Sequence, residues 1–293
     1  MESMIYKNKK PLFLFLIPAF AFMLVFLYYP FLVNIINSFS VISGLGNSST
    51  GINDPWYINY VNLFTDKKMQ TALLNTLYMI LGTIAFQVGM ALILSLLVDN
   101  VTKGAQFFRT VYFFPIVISA TALGLLFNMV FLFDGGMLNQ LVQIFGGKNI
   151  NWKGKYAMMT MFIPVMWQYI GFYFVILVTG LNNISEDIYE AAKIDGANGL
   201  KRVRYITLPL LHNVLITCVT LSITGALKVF DLPWVMFPNG MPLDTTWLTG
   251  TYMYYQTFNL SDVDYGSAIS IAIVLIGVVL SRLSGAVFKE KDY

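Results

Sequence analysis

The chain has 293 residues, of which 57% are hydrophobic and 11% charged, with a formal net charge of +3 and a mean hydropathy of +0.67. Soluble domains carry about 25% charged residues, so this composition excludes an ordinary soluble domain and places the chain in a bilayer. The basic residues are not clustered as a nucleic-acid footprint would be. The single cysteine, Cys218, sits in an apolar run, which excludes an intrachain disulfide.

Six apolar stretches are near or above the ~20 residues that a bilayer requires. They lie at about 12–36, 72–98, 107–133, 157–181, 211–233 and 267–287. No repeat, low-complexity tract or soluble-domain linker separates them, so residues 1–293 read as one transmembrane domain. The first stretch follows Lys7, Lys9 and Lys10 but is too long for a signal peptide, and no small-x-small cleavage site follows it, so it reads as a retained span. Residues 40–66 are turn-rich around Gly44, Gly46 and Gly51, and then present Trp56, Tyr57 and Tyr60, which suit the membrane interface. Residues 182–210 connect the fourth and fifth stretches. Within it Ser185 is placed to cap a short helix, Glu186 and Asp187 favour its first turn, and Gly196 is placed to end it. Pro209 suits the first turn of the helix that follows. The 234–266 loop carries Asp244, Asp262 and Asp264 without Lys or Arg, and is expected to fold partly back onto the bundle and to meet an extracellular partner.

Six spans place both ends on one side. Taking that side as cytoplasmic puts Lys7, Lys9, Lys10, Lys103, Arg109, Lys193, Lys201, Arg202, Arg204, Arg282, Lys289 and Lys291 inside, and Lys67, Lys68, Lys148, Lys153 and Lys155 outside. Basic residues collect on the cytoplasmic side, so both termini and the 182–210 loop are expected there.

Depth sorts the remaining polar residues. Ser222 lies about 11 residues beyond Leu211, or ~16 Å at 1.5 Å per residue, close to the midplane. Gln168 has a similar depth in the fourth span, and Gln87 is central in the second. Polar groups at that depth face a bundle interior or a water-filled cavity, or bond helices together. Amides and hydroxyls suit a neutral polyhydroxylated ligand, and rings such as Trp167, Tyr169 and Phe172 can stack on sugar faces. Lys228 falls near the outer edge of the fifth span, where it can snorkel outward and pair with Asp231 three residues on, or serve as a gate. Gln87, Gln168, Phe172, Ser222 and Lys228 are therefore the candidate substrate path.

Catalytic chemistry has no foothold. The chain lacks a G-x-x-x-x-G-K-[ST] phosphate loop, so it is not its own ATPase. His212 is the one histidine, it sits at a membrane edge, and no H-E-x-x-H occurs, so neither catalytic residues nor a metal site are expected. A stand-alone carrier usually needs buried ionisable residues or internal repeats, and neither is visible.

The segment Glu190-Ala191-Ala192-Lys193-Ile194-Asp195-Gly196-Ala197, followed by Ile206-Thr207-Leu208-Pro209, resembles the E-A-A-x-x-D-G-A … I-x-L-P loop of bacterial ABC-importer permeases. Asp134-Gly135-Gly136 with Asn139, Trp167-Gln168 with Gly171-Phe172, and Lys228-Val229-Phe230-Asp231 extend the resemblance over roughly residues 70–285. These features are similar to the carbohydrate-uptake, maltose-permease-like branch. That branch often has T-x-G-G-P after F-D, and here the chain instead reads Met236-Phe237-Pro238-Asn239-Gly240-Met241-Pro242. The resemblance implies an all-α, six-span bundle of the type I importer fold in the bacterial cytoplasmic membrane. It implies a second homologous permease subunit, two ATPase subunits that bind the ATP and Mg, and an extracellular substrate-binding protein. Glu190, Ala191, Ala192, Asp195, Gly196 and Ala197 would form the ATPase contact, with the three alanines buried in its cleft. The expected cargo is a sugar or oligosaccharide, with glycerol phosphate or a modified saccharide as the alternative on the same fold.

Overall fold

The computed structural model describes residues 10–99 and 104–287. Lys7, Lys9, Lys103, Lys289 and Lys291, used above for orientation, lie outside the described residues, as do both chain ends. The structure is almost wholly helical, apart from one two-residue strand pair. Among the described residues, five helices are long and apolar enough to cross a membrane, and a sharply bent pair makes a sixth when it is counted as one span.

The described residues divide into two compact units, one formed by the chain up to Thr65 with Met253–Ala272, the other by Asp66–Tyr252 with Ile273 onward. In the first, α1 (Leu12–Asn37) buries none of its apolar window within the chain. Strands β1 (Ser40–Val41) and β2 (Gly51–Ile52) pair antiparallel, and α2 covers Ile58–Thr65. Polar groups tie this unit together. Ser38 Oγ and Tyr60 OH lie 2.8 Å apart, Asn34 Nδ2 donates to Ser270 Oγ at 3.0 Å, and Asn59 Nδ2 donates to Asp264 Oδ2 at 3.2 Å.

The second unit carries two buried hydrophobic clusters. Its elements are α3 (Lys67–Asp99), α4 (Ala105–Val117), α5 (Ala120–Val130), α6 (Met137–Ile144), α7 (Trp152–Lys155) and α8 (Ala157–Asn182). They are followed by α9 (Glu186–Ile194), α10 (200–210), α11 (His212–Lys228) and α12 (Asp231–Met236), while α13 (249–259) and α14 (Val263–Val287) each belong to both units. Met79, Leu123, Met161, Leu227 and Met236 centre one buried cluster, with Ile273 and Ile276 of α14 packed on it. In lipid, helices associate through close packing rather than through a hydrophobic drive, so small residues mark the contacts. Gly171 of α8 faces the Tyr112 carbonyl of α4 so closely that a Cβ would collide with it.

The third apolar stretch is not the uninterrupted span that 107–133 suggests: α4 and α5 meet at 93°. The cause is local. Pro115 has no N–H and its ring crowds the preceding turn, and Ser119 then offers a new N-cap. The Ala122 N–H, which would bond the Ile118 carbonyl in a continuous helix, bonds Ser119 Oγ instead, at 3.2 Å. The fifth stretch breaks too. Val229 is extended (φ −61°, ψ 119°) and Phe230 non-helical, so α12 restarts at Asp231. The segment after α12 folds back onto α3: Asn75 Nδ2 donates to the carbonyls of Thr245 (2.8 Å) and Trp247 (2.9 Å), Lys68 pairs with Asp244 (3.2 Å), and Tyr252 OH donates to Asp66. Asn139, at the resembled G-x-x-N turn, donates to the carbonyls of Leu132, Phe133 and Ile150 and accepts from Ile150 N and Trp152 Nε1.

Candidate functional site

Two features stand out in the second unit, an exposed loop and an internal cavity. In the loop, Ser185 Oγ accepts the Asp187 N–H at 3.3 Å and starts α9 with Glu186 and Asp187 in its first turn. The helix ends in a Schellman motif: the Ala197 N–H reaches the Ala192 carbonyl (2.8 Å) and the Gly196 N–H reaches the Lys193 carbonyl (3.1 Å). This requires a left-handed residue at position 196, and Gly196 has φ +78°. Gly199 also has a positive φ, +55° with ψ −121°, just before α10 begins, a position the sequence reading did not single out. α10 then returns past α9, with Tyr189 OH 3.3 Å from Thr207 Oγ1 and the Arg202 guanidinium 5.2 Å over the Tyr189 ring. Pro209 continues this helix, and α11 restarts at His212.

The outer side of this loop is open and partly apolar. Glu190, Ala191, Asp195 and Gly196 are exposed, Ala197 is half-buried, and Ile194 and Leu200 are each 86% exposed. Ala192 departs from the reading that put three alanines in a partner's cleft. It is only 5% exposed, because its side chain turns inward while its carbonyl anchors the helix end.

The cavity, of about 310 Å³, lies where three irregularities converge. A π-helical turn at Thr83–Val88 in α3 contributes Thr83 and Gln87; such turns recur at functional sites. The α4–α5 break contributes Ala120, and the α11–α12 break contributes Lys228, Val229, Phe230 and Asp231. Gln168, Tyr169 and Phe172 of α8 and Thr224 of α11 complete the wall. Gln168 Nε2 donates to the Ile118 carbonyl at 3.3 Å, the same carbonyl that the break released. Gln87 Nε2 donates to the Val165 carbonyl at 2.8 Å. Backbone that has lost its helical partners is tolerated at membrane depth only where protein or a cavity satisfies it.

Of the path candidates, Gln87, Gln168, Phe172 and Lys228 line this cavity. Ser222 does not. It is 1% exposed and gives its hydroxyl to Thr83 Oγ1 at 2.8 Å, so it is helix glue beside the cavity. Lys228 and Asp231 do not form the i, i+3 pair suggested by the sequence, because the helix ends between them and each faces the cavity separately. Trp167 also lies outside the lining, edge-on to Phe127 with ring centroids 5.8 Å apart. Thr83 and the Ile118 carbonyl are the contributors that sequence reasoning missed. The visible signal for the second was Pro115 followed by Ser119.

A helical membrane bundle with broken spans around a cavity lined by both polar and apolar side chains, and an exposed loop of short helices in which acidic and basic residues balance, has the build of a membrane permease. The chain belongs to the family of binding-protein-dependent transport system inner membrane components, whose model matches residues 87–290. It is 32% identical over 292 residues to a probable ABC transporter permease, YurN, of Bacillus subtilis, covering 98% of both chains. It is 31% identical to the lactose transport permease LacF of Rhizobium radiobacter, covering 95% of this chain and 94% of that one. It is 29% identical to the arabinooligosaccharides transport permease AraP of Bacillus subtilis, covering 97% and 90%. The fold matches a chain of a bacterial ABC transporter that imports the acidic polysaccharide alginate, with a TM-score of 0.83, 20% identity, and coverage of 97% and 96%. The chain is thus the permease component of a binding-protein-dependent ABC importer, an inner-membrane protein with several membrane-spanning helices.

Proposed function

We propose that this permease carries a sugar or oligosaccharide, and that the 310 Å³ cavity is part of its path. The carrying observation is the lining: two carboxamides, two threonine hydroxyls and four aromatic rings at the level where two spans break. Paired amide and hydroxyl groups match the donors and acceptors of a polyhydroxylated ligand, and rings match its apolar faces. Relatives named for lactose and arabinooligosaccharides support the class. In this reading a substrate-binding protein delivers the cargo from outside, a second homologous permease completes the pore, and two ATPase subunits bind ATP and Mg. The chain lies with both termini and the 182–210 loop in the cytoplasm. Glu190, Ala191, Asp195, Gly196 and Ala197 form the ATPase contact, with Glu190 giving a charge-assisted bond worth about 1.5–3 kcal/mol.

A saccharide bearing an acidic substituent is the second reading. Lys228 faces the cavity and makes no ion pair with Asp231, which lines the same cavity, so its ammonium is open to an anionic group.

Ligand profiling of the cognate binding protein, followed by uptake of its ligand, tests the cargo. A binding protein that takes only non-carbohydrate solutes overturns it. Glu190→Ala tests the coupling role: uptake should be lost while the chain still inserts, and normal uptake with normal ATPase retention refutes that role.

A further inference from the structure

Lys153 belongs to neither feature described above. It sits on α7, immediately before α8 enters the membrane, at the end of that helix opposite the coupling loop. Its Nζ donates to Asn128 Oδ1 at 2.8 Å, and Asn128 is itself held by a 3.2 Å bond from its Nδ2 to the Val235 carbonyl. The ammonium stands 5.1 Å from the Phe237 ring centroid. One of its three N–H groups is therefore satisfied, the side chain is half-buried, and no carboxylate of the described residues lies within ion-pair distance. Burial holds Lys153 below the ordinary lysine range. A partly desolvated cation without a counter-charge is costly.

Beside it opens a pocket of about 510 Å³, with walls that are mainly apolar, including Leu132, Val235, Met241 and Pro242. Leu132 is 49% and Met241 58% exposed, so the apolar wall continues to the surface. A helix that crosses the bilayer places the residues just before it at the level of the headgroups. We propose that this pocket binds the phosphate of an anionic membrane phospholipid, with Lys153 as the phosphate ligand and the apolar wall along the lipid's glycerol and upper acyl region. An amphiphile fits because the site pairs one fixed cation with an apolar surface at interface depth. A small hydrophilic anion would use only the cation, and a partner's acidic side chain would not use the apolar wall. The proposal does not depend on which solute the permease carries.

The test uses the assembled transporter in nanodiscs, with phosphatidylglycerol titrated into phosphatidylcholine and retained lipid counted by native mass spectrometry. The wild-type protein and Lys153→Arg should each retain one more phosphatidylglycerol than Lys153→Met, which keeps the apolar stem and loses the charge. Apparent affinity for phosphatidylglycerol should fall about tenfold in Lys153→Met, the size of one charge-assisted contact. Equal retention by wild type and Lys153→Met overturns the proposal. Displacement of the lipid by millimolar inorganic phosphate overturns the lipid assignment and makes this a free-anion site, and unchanged retention under phosphate supports it. If Lys153→Met does not assemble, Met241→Glu at the exposed wall is the deciding variant. It leaves the Lys153 contacts in place and should repel the phosphate, and full retention in it overturns the proposal.

Discussion

Ser222 Oγ donates to Thr83 Oγ1 at 2.8 Å, and Thr83 Oγ1 in turn donates to the Ile80 carbonyl at 2.9 Å. This chain of hydroxyls joins α11 to the π turn of α3, so the serine supports the cavity wall from behind. Gln168, by contrast, has its amide on the wall itself.

The two residues should therefore separate in function. Ser222→Ala should lower thermal stability by about 1 kcal/mol, the net worth of one hydrogen bond, with little change in uptake once the protein is folded. Gln168→Leu should reduce uptake several-fold while complex assembly and the affinity of the binding protein stay the same. Paired uptake and melting curves decide it, and an uptake defect in Ser222→Ala larger than that in Gln168→Leu would reverse the assignment.

Gly196 sits at φ +78° with open space around it, so a substitution there is opposed by backbone conformation and not by a clash. A left-handed backbone costs a residue with a Cβ about 1–2 kcal/mol. Gly196→Val should weaken retention of the ATPase subunits in a pull-down and leave membrane insertion intact. Gly196→Asn should be milder, since Asn tolerates this region better. Full retention by the valine variant would falsify the role of the turn.

Gly171 presents the opposite case, a helical glycine whose Cβ would strike the Tyr112 carbonyl. Gly171→Ala should separate α8 from α4 and cost about 1–3 kcal/mol through overpacking. Gly285→Ala in α14, where a Cβ meets nothing within 4 Å, is the control. Melting temperatures of the two variants in the same detergent should differ clearly, and equal values would contradict the close approach.

Asp262 gives a pH dependence. Burial, then the hydrogen bond and charge of Asp264, push its carboxyl up from 3.8 to about 6. Its oxygen accepts the Tyr265 N–H at 3.3 Å at the head of α14. The folded state therefore keeps a proton that the unfolded state releases near pH 4, so stability around Asp262 is full below that value, declines as pH rises, and is lost above about 6. Hydrogen exchange over residues 253–272 should show greater protection at pH 4.5 than at pH 7.5, and Asp262→Asn should remove the difference. Equal protection in the wild-type chain at both values would contradict the shift.

Much of this architecture could be read from the residues alone. Membrane spans are long and apolar, and the short helix between Ser185 and Gly196 carries both of its end signals, since capping depends on a few side chains close in sequence. Gln87 and Gln168 were found as cavity residues because an amide at mid-membrane must meet another polar group. The breaks were harder. Pro115 disfavours a continuous helix without saying whether it will kink or end, and nothing local in Lys228-Val229-Phe230 announces extended backbone. A count along the helix gives a depth for Ser222, but depth does not say which side of a helix faces the cavity. That depends on the partner helix, and Thr83 lies far away in the chain.

The two broken spans have a mechanical consequence. Beyond the breaks, α5 and α12 are held to each other, by Asn128 Nδ2 on the Val235 carbonyl and by Gly124 packed against Val235. Before the breaks, α4 is seated on α8 at Gly171, and α11 continues from the 182–210 loop. On the proposed coupling role of the 182–210 loop, residues 118–119 and 229–230 are placed to serve as paired pivots at the cavity: a tilt delivered through α11 would be taken up by backbone torsion there, and the α5–α12 pair would keep its shape while the helices before the breaks move. Distances between spin labels on α5 and α12 should stay constant through the transport cycle, while distances from α12 to α11 change.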